Sequence, residues 1–300
     1  MKHLLKLMDL SKEEIIEILD LADELKAQNK RGEAHKLLKD KTLGMIFQKS
    51  STRTRVSFEV GMVQLGGYPL FLSSADLQIG RGEPVEDTAR VLGRYLDGIM
   101  IRTFAQKEVE DLAKYSGIPV INGLTDYAHP CQVLADLQTI REYKKDFNGL
   151  RVAYIGDGNN MANSLIVGCL KVGMDIACAI PAGYYPAEDV LAFAKEYAGF
   201  SISDDVMAAA KDADVLITDV WASMGMEGEA LKRQEDFAGI QINDRVMAVA
   251  KKDAIVQHCL PAHRGEEITA DVFEAHANEI FDEAENRLHA QKAVLVKLLG

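Results

Sequence analysis

The chain has few cysteines and no long apolar run. Each of these absences excludes some classes of protein. Four cysteines are scattered through 300 residues, and no two of them form a Cys-x-x-Cys pair. This pattern argues against a disulfide framework or a zinc site and favours reduced thiols, so we expect a cytoplasmic protein. No apolar run is long enough to cross a bilayer, and residues 1–10 do not form a signal peptide. We therefore expect no membrane partner.

An excess of basic residues is also lacking. The 34 Lys and Arg residues are outnumbered by 46 Asp and Glu residues, which gives a formal net charge of −12. A negative chain of this kind is disfavoured as a partner of nucleic acid or of anionic lipid. An anionic ligand must therefore be captured by local groups rather than by the overall field of the protein.

What the chain does contain is a regular alternation of short apolar runs and amphipathic segments. Runs such as residues 43–47, 151–155 and 215–219 are typical of buried strands, and helical patterns follow them. Ser11 stands three residues before Glu14, and this capping-box spacing predicts the start of the first helix. The length suffices for two cores. We predict an α/β fold with two domains, each with a mostly parallel sheet flanked by helices.

The densest polar motif is Ser51-Thr52-Arg53-Thr54-Arg55, at a predicted turn from strand to helix. A helix N-terminus offers unpaired N–H groups to an anion, and hydroxyl and guanidinium donors add to them. The alternative is that Ser51 or Thr52 only caps the helix while the arginines are solvated. Two arginines and several hydroxyls in so short a stretch favour an oxyanion site, and we expect its ligand to be a phosphate.

Other polar residues stand near the ends of predicted elements in the same half of the chain. Arg102 lies near the end of the strand predicted at residues 97–103, where ligands bind in open α/β sheets. We expect it to reach the same anion, although it could also be a surface arginine. His129 and Gln132 lie at the start of a helix whose first turn suits Pro130. Beside an anion site, His129 is a candidate donor to a carbonyl oxygen.

In the second half, Asp219 ends a predicted strand and precedes a small polar loop, so it could bind an ammonium group or cap a helix. Gly156-Asp157-Gly158 follows another strand, but Met161 replaces the third glycine of the dinucleotide-binding pattern. We interpret this stretch as a loop that presents Asn160. A nicotinamide-dependent oxidoreductase remains an alternative function, from a different class of enzyme. Cys259 has no evident general base, so we do not interpret it as a nucleophile.

Three motifs taken together resemble the aspartate/ornithine carbamoyltransferase family. They are Ser51-Thr52-Arg53-Thr54-Arg55, His129-Pro130-Cys131-Gln132 and His258-Cys259-Leu260-Pro261, in the family's order, and the likeness extends over nearly the whole chain. Residues 219–225 look like the corresponding loop of the ornithine-specific members. The resemblance implies transfer of a carbamoyl group from carbamoyl phosphate to the δ-amine of L-ornithine, as in arginine biosynthesis, with no metal or organic cofactor. Putrescine or an N-acylornithine is the nearest alternative acceptor.

The resemblance also implies an organisation of the site. Residues 1–130, completed by residues 284–300, would bind carbamoyl phosphate, residues 131–283 would bind ornithine, and the active site would lie in the cleft between the domains. Its catalytic residues would be Arg53, Arg102, His129, Gln132, Asp219 and Cys259. Carbamoyl phosphate would contact Ser51, Thr52, Arg53, Thr54, Gln78, Arg102, His129, Pro130, Cys131, Gln132, Cys259, Leu260 and Arg287. Ornithine would contact Asn160, Asp219, Ser223 and Met224. The family is built on homotrimers, so we expect a trimer or a multiple of trimers.

Overall fold

The computed structural model describes residues 1–222 and 227–300. The chain divides into two compact units, unit 1 with Met1–Gln138 and Glu285–Gly300, and unit 2 with Thr139–Ala284. Each unit contains a parallel sheet flanked by helices, which confirms the predicted fold class. This division falls inside a helix that begins at Pro130, whereas the sequence placed the domain boundary at the start of that helix.

The elements follow one another in a regular alternation along the chain. The strands are β1 Thr42–Phe47, β2 Tyr68–Ser73, β3 Gly98–Arg102, β4 Val120–Leu124, β5 Arg151–Ile155, β6 Asp175–Ala179, β7 Phe200–Ser203, β8 Val215–Thr218 and β9 Ile255–His258. The helices are α1 Lys12–Lys30, α2 Thr52–Gln64, α3 Val85–Leu92, α4 Gln106–Ser116, α5 Pro130–Lys144, α6 Asn160–Val172, α7 Glu188–Ala194, α8 Val206–Ala210, α9 Ala230–Asp236, α10 Asp244–Met247, α11 Ala270–Ala275 and α12 Ala277–Leu299. Short 3-10 helices cover Leu7–Asp9, Gln78–Arg81 and Glu227–Glu229. None of the helices in the described part of the chain combines the length and apolar character that crossing a membrane requires.

The sheet of unit 1 has the strand order β2–β1–β3–β4, and its neighbouring strands are parallel. The chain leaves β1 first toward β2 and later crosses to β3 on the other side. The strand order therefore reverses between β1 and β3, and a ligand crevice forms outside the carboxyl ends of strands at such a point. Strands β1 and β3 are almost wholly buried, while β2 forms a partly exposed edge.

Local sequence signals explain why these segments fold as they do. Ser11 Oγ accepts from the Glu14 backbone N–H at 3.1 Å, and Ser11 N–H donates to Glu14 Oε2 at 2.9 Å, which confirms the predicted capping box of α1. Behind the sheet, Ile46, Ile99 and Ile101 pack with apolar residues of the flanking helices, including Val109 and Leu112. Burial of this apolar face is the main driving force for assembly of the layer.

The sheet of unit 2 has the order β7–β6–β5–β8–β9 among the described residues, again with parallel neighbours. Its strand order reverses between β5 and β8, so the same rule places a crevice outside the ends of these two strands. The core of this unit combines small sheet residues such as Ala153 and Ala177 with large aromatic side chains, Trp221, Phe237 and Phe273.

In the turn after β5, one glycine is required because the backbone of another segment comes very close to it. Gly158 N–H donates to Tyr184 O at 2.9 Å, and a Cβ atom at position 158 would lie 2.1 Å from that oxygen. It would also lie 2.5 Å from Pro186 N. The second glycine of the Gly-Asp-Gly stretch is therefore required by packing within the protein, and it needs no nucleotide to explain it.

We predict that Gly158→Ala destabilises the fold more than Gly156→Ala. The added methyl group at position 158 meets rigid backbone, and such overpacking costs about 1–3 kcal/mol. A Cβ atom at position 156 would find its nearest neighbour, Tyr154 Oη, at 3.3 Å. Thermal and urea unfolding of the two variants and the parent chain measures the difference, and equal losses of stability would contradict this account of the turn.

Candidate active site

The turn between β1 and α2 presents a compact set of hydroxyl groups. Ser51 is the N-cap of α2, and its Oγ accepts from Thr54 N–H at 3.2 Å while lying 3.1 Å from Thr54 Oγ1. Thr54 is buried, whereas Thr52 and Arg53 are exposed on the first turn of the helix. Ser51 therefore does cap the helix. The other backbone N–H groups of the first turn lie beside it.

Two buried arginines converge on Thr54. Arg287, on α12, brings Nη2 to 3.1 Å from Thr54 Oγ1, and Arg102, the last residue of β3, brings Nη1 to 3.5 Å from the same oxygen. Arg102 is 6% exposed and Arg287 is 4% exposed. Like charges held this close repel each other, and burial weakens their screening by water. An anion bound beside Thr54 would replace this repulsion by attraction.

The amide of Gln132 is held in one orientation by charged neighbours. Arg287 Nη1 donates to Gln132 Oε1 at 2.6 Å, and Gln132 Nε2 donates to Asp136 Oδ1 at 2.8 Å. A guanidinium group can only donate and an ionised carboxylate can only accept, so these neighbours decide which end of the amide is oxygen. Sequence reasoning missed Asp136, although its position one helical turn after Gln132 was a usable signal.

His129 lies next to this set, immediately before α5, and is 5% exposed. Burial first, and then the charges of Arg287, Arg102 and Arg53, hold the pKa of its imidazole well below the ordinary value of 6.5. The ring is therefore neutral near pH 7. A neutral imidazole carries one N–H donor and one acceptor nitrogen. The structure thus brings together Ser51, Thr54, Arg102, Gln132 and Arg287, and the electrostatics connect His129 to them.

Other residues predicted for carbamoyl phosphate are placed differently. Pro130 and Cys131 are buried at the start of α5, where the Cys131 thiol donates to Asn122 O at 3.4 Å. Burial raises the pKa of Cys131 to about 12, so this thiol stays protonated. Gln78 is exposed on the 3-10 helix Gln78–Arg81, and within the described residues no hydrogen bond joins its side chain to the set around Thr54.

In unit 2, a carboxylate lies where the strand order of the sheet reverses. Asp219 follows β8, is 7% exposed, and accepts at Oδ2 from Asn159 Nδ2 at 2.8 Å. Its Oδ1 accepts from Val220 N–H at 2.8 Å and lies 3.1 Å from Cys259 Sγ. The structure therefore brings the predicted Asp219 and Cys259 together. Asn159, the N-cap of α6, was missed in favour of its neighbour Asn160, which is buried in the first turn of that helix.

The loop after β9 is held by the ring of His258. Its Nδ1 accepts from Leu260 N–H at 2.9 Å, so its Nε2 carries the proton and donates to Glu267 Oε1 at 2.9 Å. Leu260 has a φ of +57°, a left-handed conformation that a branched residue keeps only where its surroundings impose it. His258 therefore fixes the backbone that follows Cys259. Two further residues predicted to bind ornithine, Ser223 and Met224, lie outside the described residues.

In unit 2, the residues that could bind a dinucleotide or a metal already contact other groups of the protein. Asp157 pairs with Arg233 at 2.8 Å, and the backbone after β6 packs on Gly158. This arrangement argues against the nicotinamide alternative. His263, Glu266 and Glu267 place possible metal ligands within 4.8 Å of one another in the described part of the chain. However, Glu267 Oε1 already accepts from His258 and from His263 N–H.

We predict that His129 stays neutral well below pH 6.5 and that inorganic phosphate raises its pKa. The unfolded chain binds a proton near the ordinary value whereas the folded chain does not, so the stability contributed here is present above pH 6.5 and is lost as the pH falls through the lowered folded pKa. A bound anion offsets the arginine charges and shifts that pKa upward. Nitrogen-15 shifts of the imidazole, assigned with His129→Gln, measure both effects. Protonation at pH 6.5 without phosphate would contradict the prediction.

Comparison with known families agrees with the two-unit organisation. The profile described as "Aspartate/ornithine carbamoyltransferase, carbamoyl-P binding domain" matches residues 2–142. The profile described as "Aspartate/ornithine carbamoyltransferase, Asp/Orn binding domain" matches residues 148–298. Together the two profiles cover nearly all of the chain.

Individual relatives are similar over nearly their whole length. The ornithine carbamoyltransferase of Carboxydothermus hydrogenoformans is 55% identical over 304 residues, covering 100% of this chain and 98% of the relative. That of Thermococcus kodakarensis is 53% identical, covering 100% and 96%. The solved structure of ornithine carbamoyltransferase from Pyrococcus furiosus superposes with a TM-score of 0.95 at 53% identity, over 100% of this chain and 97% of that one. The chain therefore belongs to the aspartate/ornithine carbamoyltransferase family.

Proposed function

We propose that the protein is an ornithine carbamoyltransferase, which transfers the carbamoyl group of carbamoyl phosphate to the δ-amino group of L-ornithine. The products are L-citrulline and phosphate. The observation that carries this proposal is the approach of two buried guanidinium groups to Thr54 at the N-terminus of α2, next to a neutral imidazole. The names of the relatives, and the match of unit 2 to an Asp/Orn binding domain, support ornithine as the acceptor.

Carbamoyl phosphate binds through its phosphate group to the first turn of α2. Ser51, Thr52, Arg53 and Thr54 supply backbone and side-chain donors, and Arg102 and Arg287 supply charge. Such charge-assisted hydrogen bonds are stronger than those between neutral groups, and an arginine can hold two phosphate oxygens at once. Local capture of this kind is needed because the chain as a whole carries a net charge of −12.

The carbonyl end of the substrate meets His129, Arg102 and Gln132. His129 donates its N–H to the carbonyl oxygen together with Arg102, and both bonds strengthen as the attack places negative charge on that oxygen. A fixed donor of this kind is worth roughly 10²–10³ in rate. Gln132 Oε1 accepts from the carbamoyl NH₂ group, and the direction of this oxygen is fixed because Arg287 and Asp136 hold the amide.

Ornithine is bound by residues of unit 2. Asp219 pairs with its α-ammonium group, and Asn160, Ser223 and Met224 are assigned to the rest of the amino-acid end. Cys259 and Leu260 orient the δ-amine through the loop that His258 fixes. The amine, whose pKa is near 10.4 when free, attacks after losing a proton. A C–N bond forms at the carbonyl carbon, the bond from that carbon to the phosphate oxygen breaks, and phosphate leaves with the electron pair.

The exposed face of α2 supports association of several copies of the chain. Val56, Val60 and Val63 recur at helical spacing on this face and are 49%, 38% and 56% exposed, and Tyr68 on the neighbouring β2 is 64% exposed. Apolar side chains exposed in a row along one face are typical of an interaction surface. We infer that this face contributes to the contacts of the homotrimer that the resemblance implies.

The cysteines fit the cytoplasmic location expected from the sequence. All four lie within the described residues, and none forms a disulfide. Burial raises the pKa of Cys131 to about 12 and also raises the pKa of Cys178, which keeps both as inert thiols. Cysteines without disulfide partners are typical of proteins from reducing compartments.

The choice of acceptor is tested by assaying three amines in parallel with carbamoyl phosphate. We expect kcat/KM for ornithine to exceed that for putrescine and for N-acetylornithine by at least ~10²-fold, because each analogue leaves buried polar groups of the site unpaired. Release of phosphate measures all three reactions on one scale. Equal or higher efficiency with either analogue would reject ornithine as the substrate and support the corresponding alternative.

We further predict that Asp219→Asn raises the KM for ornithine by roughly 10–100-fold, since a charge-assisted contact is removed. The KM for carbamoyl phosphate should change by less than about 3-fold. Asp204→Asn, an exposed site in the same unit, is the control for the loss of one negative charge. Initial rates with each substrate varied in turn measure both constants. A larger effect on carbamoyl phosphate than on ornithine would reject the assignment of Asp219.

A further inference from the structure

Lys49 is a buried lysine that the reaction described above does not use. It lies between β1 and Ser51, and its side chain is 7% exposed. Its ammonium group forms an ion pair with Asp126, and its Nζ lies 4.3 Å from the centroid of the Phe104 ring. The ion pair and the cation–π contact together offset the cost of taking the ammonium group out of water.

These contacts join three separate turns of unit 1. Lys49 belongs to the turn that carries Ser51 and Thr54, Phe104 follows Arg102 closely, and Asp126 stands three residues before His129. The turns are also joined through their backbones. Gln48 N–H donates to Arg102 O at 2.9 Å, Thr103 N–H donates to Leu124 O at 2.9 Å, and Asp126 N–H donates to Phe104 O at 2.9 Å. Lys49 and its two partners therefore follow the carboxyl ends of β1, β3 and β4.

We propose that Lys49 is a positioning residue for the anion site. Its ammonium group, held by Asp126 over the Phe104 ring, fixes the spacing of the three turns that present the α2 N-terminus, Arg102 and His129. It acts through these turns and not as a phosphate ligand, since its charge is already directed at the Asp126 carboxylate. Misplacement of a donor by about 1 Å is enough to cost roughly 10²-fold in rate.

A simpler role for Lys49, as a nearby positive charge, predicts the opposite change in anion affinity for the Asp126→Asn variant. If Lys49 served the anion only as a nearby positive charge, removing the negative charge of Asp126 would strengthen anion binding. If Lys49 positions the turns, Asp126→Asn weakens anion binding although the site becomes more positive. Asp126 is also the safer position to change, because its side chain is 57% exposed whereas that of Lys49 is buried.

The experiment measures binding of inorganic phosphate to the full chain by calorimetry. We expect Lys49→Met and Asp126→Asn each to weaken binding by about 10-fold, and the double variant to be no weaker than Lys49→Met alone, as for two residues that act as one unit. Tighter binding by Asp126→Asn, or fully additive losses in the double variant, would overturn the proposal.

Lys41→Met is the matched control. Lys41 pairs with Asp97 at 3.4 Å at the opposite, amino-terminal end of the same strands, and the two side chains are 42% and 37% exposed. We expect it to bind phosphate as the parent chain does. Thermal unfolding identifies a temperature at which all variants are folded. At that temperature we expect Lys49→Met and Asp126→Asn to lower kcat for citrulline formation at saturating substrates, which mere loss of stability would not do.

This inference rests on the proposed anion site, and the two can fail separately. If the parent chain bound no phosphate, the anion site itself would be wrong and the role of Lys49 would fall with it. If the parent chain bound phosphate while Lys49→Met and Asp126→Asn bound it equally well, the role of Lys49 alone would be overturned.

Discussion

The site in unit 1 depends on positive charge held together around one threonine hydroxyl. Arg287 and Arg102 approach Thr54 Oγ1 to 3.1 and 3.5 Å, and their charges, with that of Arg53, help to keep His129 neutral. Mutual repulsion would separate these groups if they stood on flexible segments. They are instead fixed to a strand end, a helix start and the helix α12. Because like charges at this distance repel each other, an anion bound there would replace repulsion by attraction.

The same topological rule places the functional groups of both sheets. The strand order reverses between β1 and β3 in unit 1 and between β5 and β8 in unit 2. Connections diverge to either side of such a point and leave the strand ends open to a ligand. The charges at the two points have opposite signs, with Arg53 after β1 and Arg102 at the end of β3, but Asp219 after β8. This contrast suits an anionic phosphate in one unit and an ammonium group in the other.

Features encoded in short stretches could be predicted from the sequence, and features encoded in long-range contacts could not. The capping box at Ser11 and the strand-to-helix turn before Thr54 depend on neighbouring residues, so their spacing was sufficient. Strand β7 was not predicted from the sequence, because it has only four residues, lies at the edge of the sheet and has no fully buried side chain. Arg287 is 233 positions from Thr54, and no local pattern connects them. Arg287 was predicted only from the family resemblance. Asp136 and Asn159 were not predicted, although Gln132 and Asn160 near them were.

The proposed reaction divides its work between charged and neutral donors. Arg53 and Arg287 counter a phosphate charge that is present before the transfer and persists after it, so most of their effect is on binding. Only interactions that strengthen in the transition state speed the chemical step. The charge that appears on the carbonyl oxygen is of this kind. Arg102 and the imidazole of His129 both meet it, and the neutral imidazole does so without adding another cation to the cluster. Burial is the largest cause of the lowered pKa of His129, so a bound phosphate, which offsets only the arginine charges, leaves that cause in place. The imidazole can then remain a neutral donor when the substrate is present, which is when catalysis requires it.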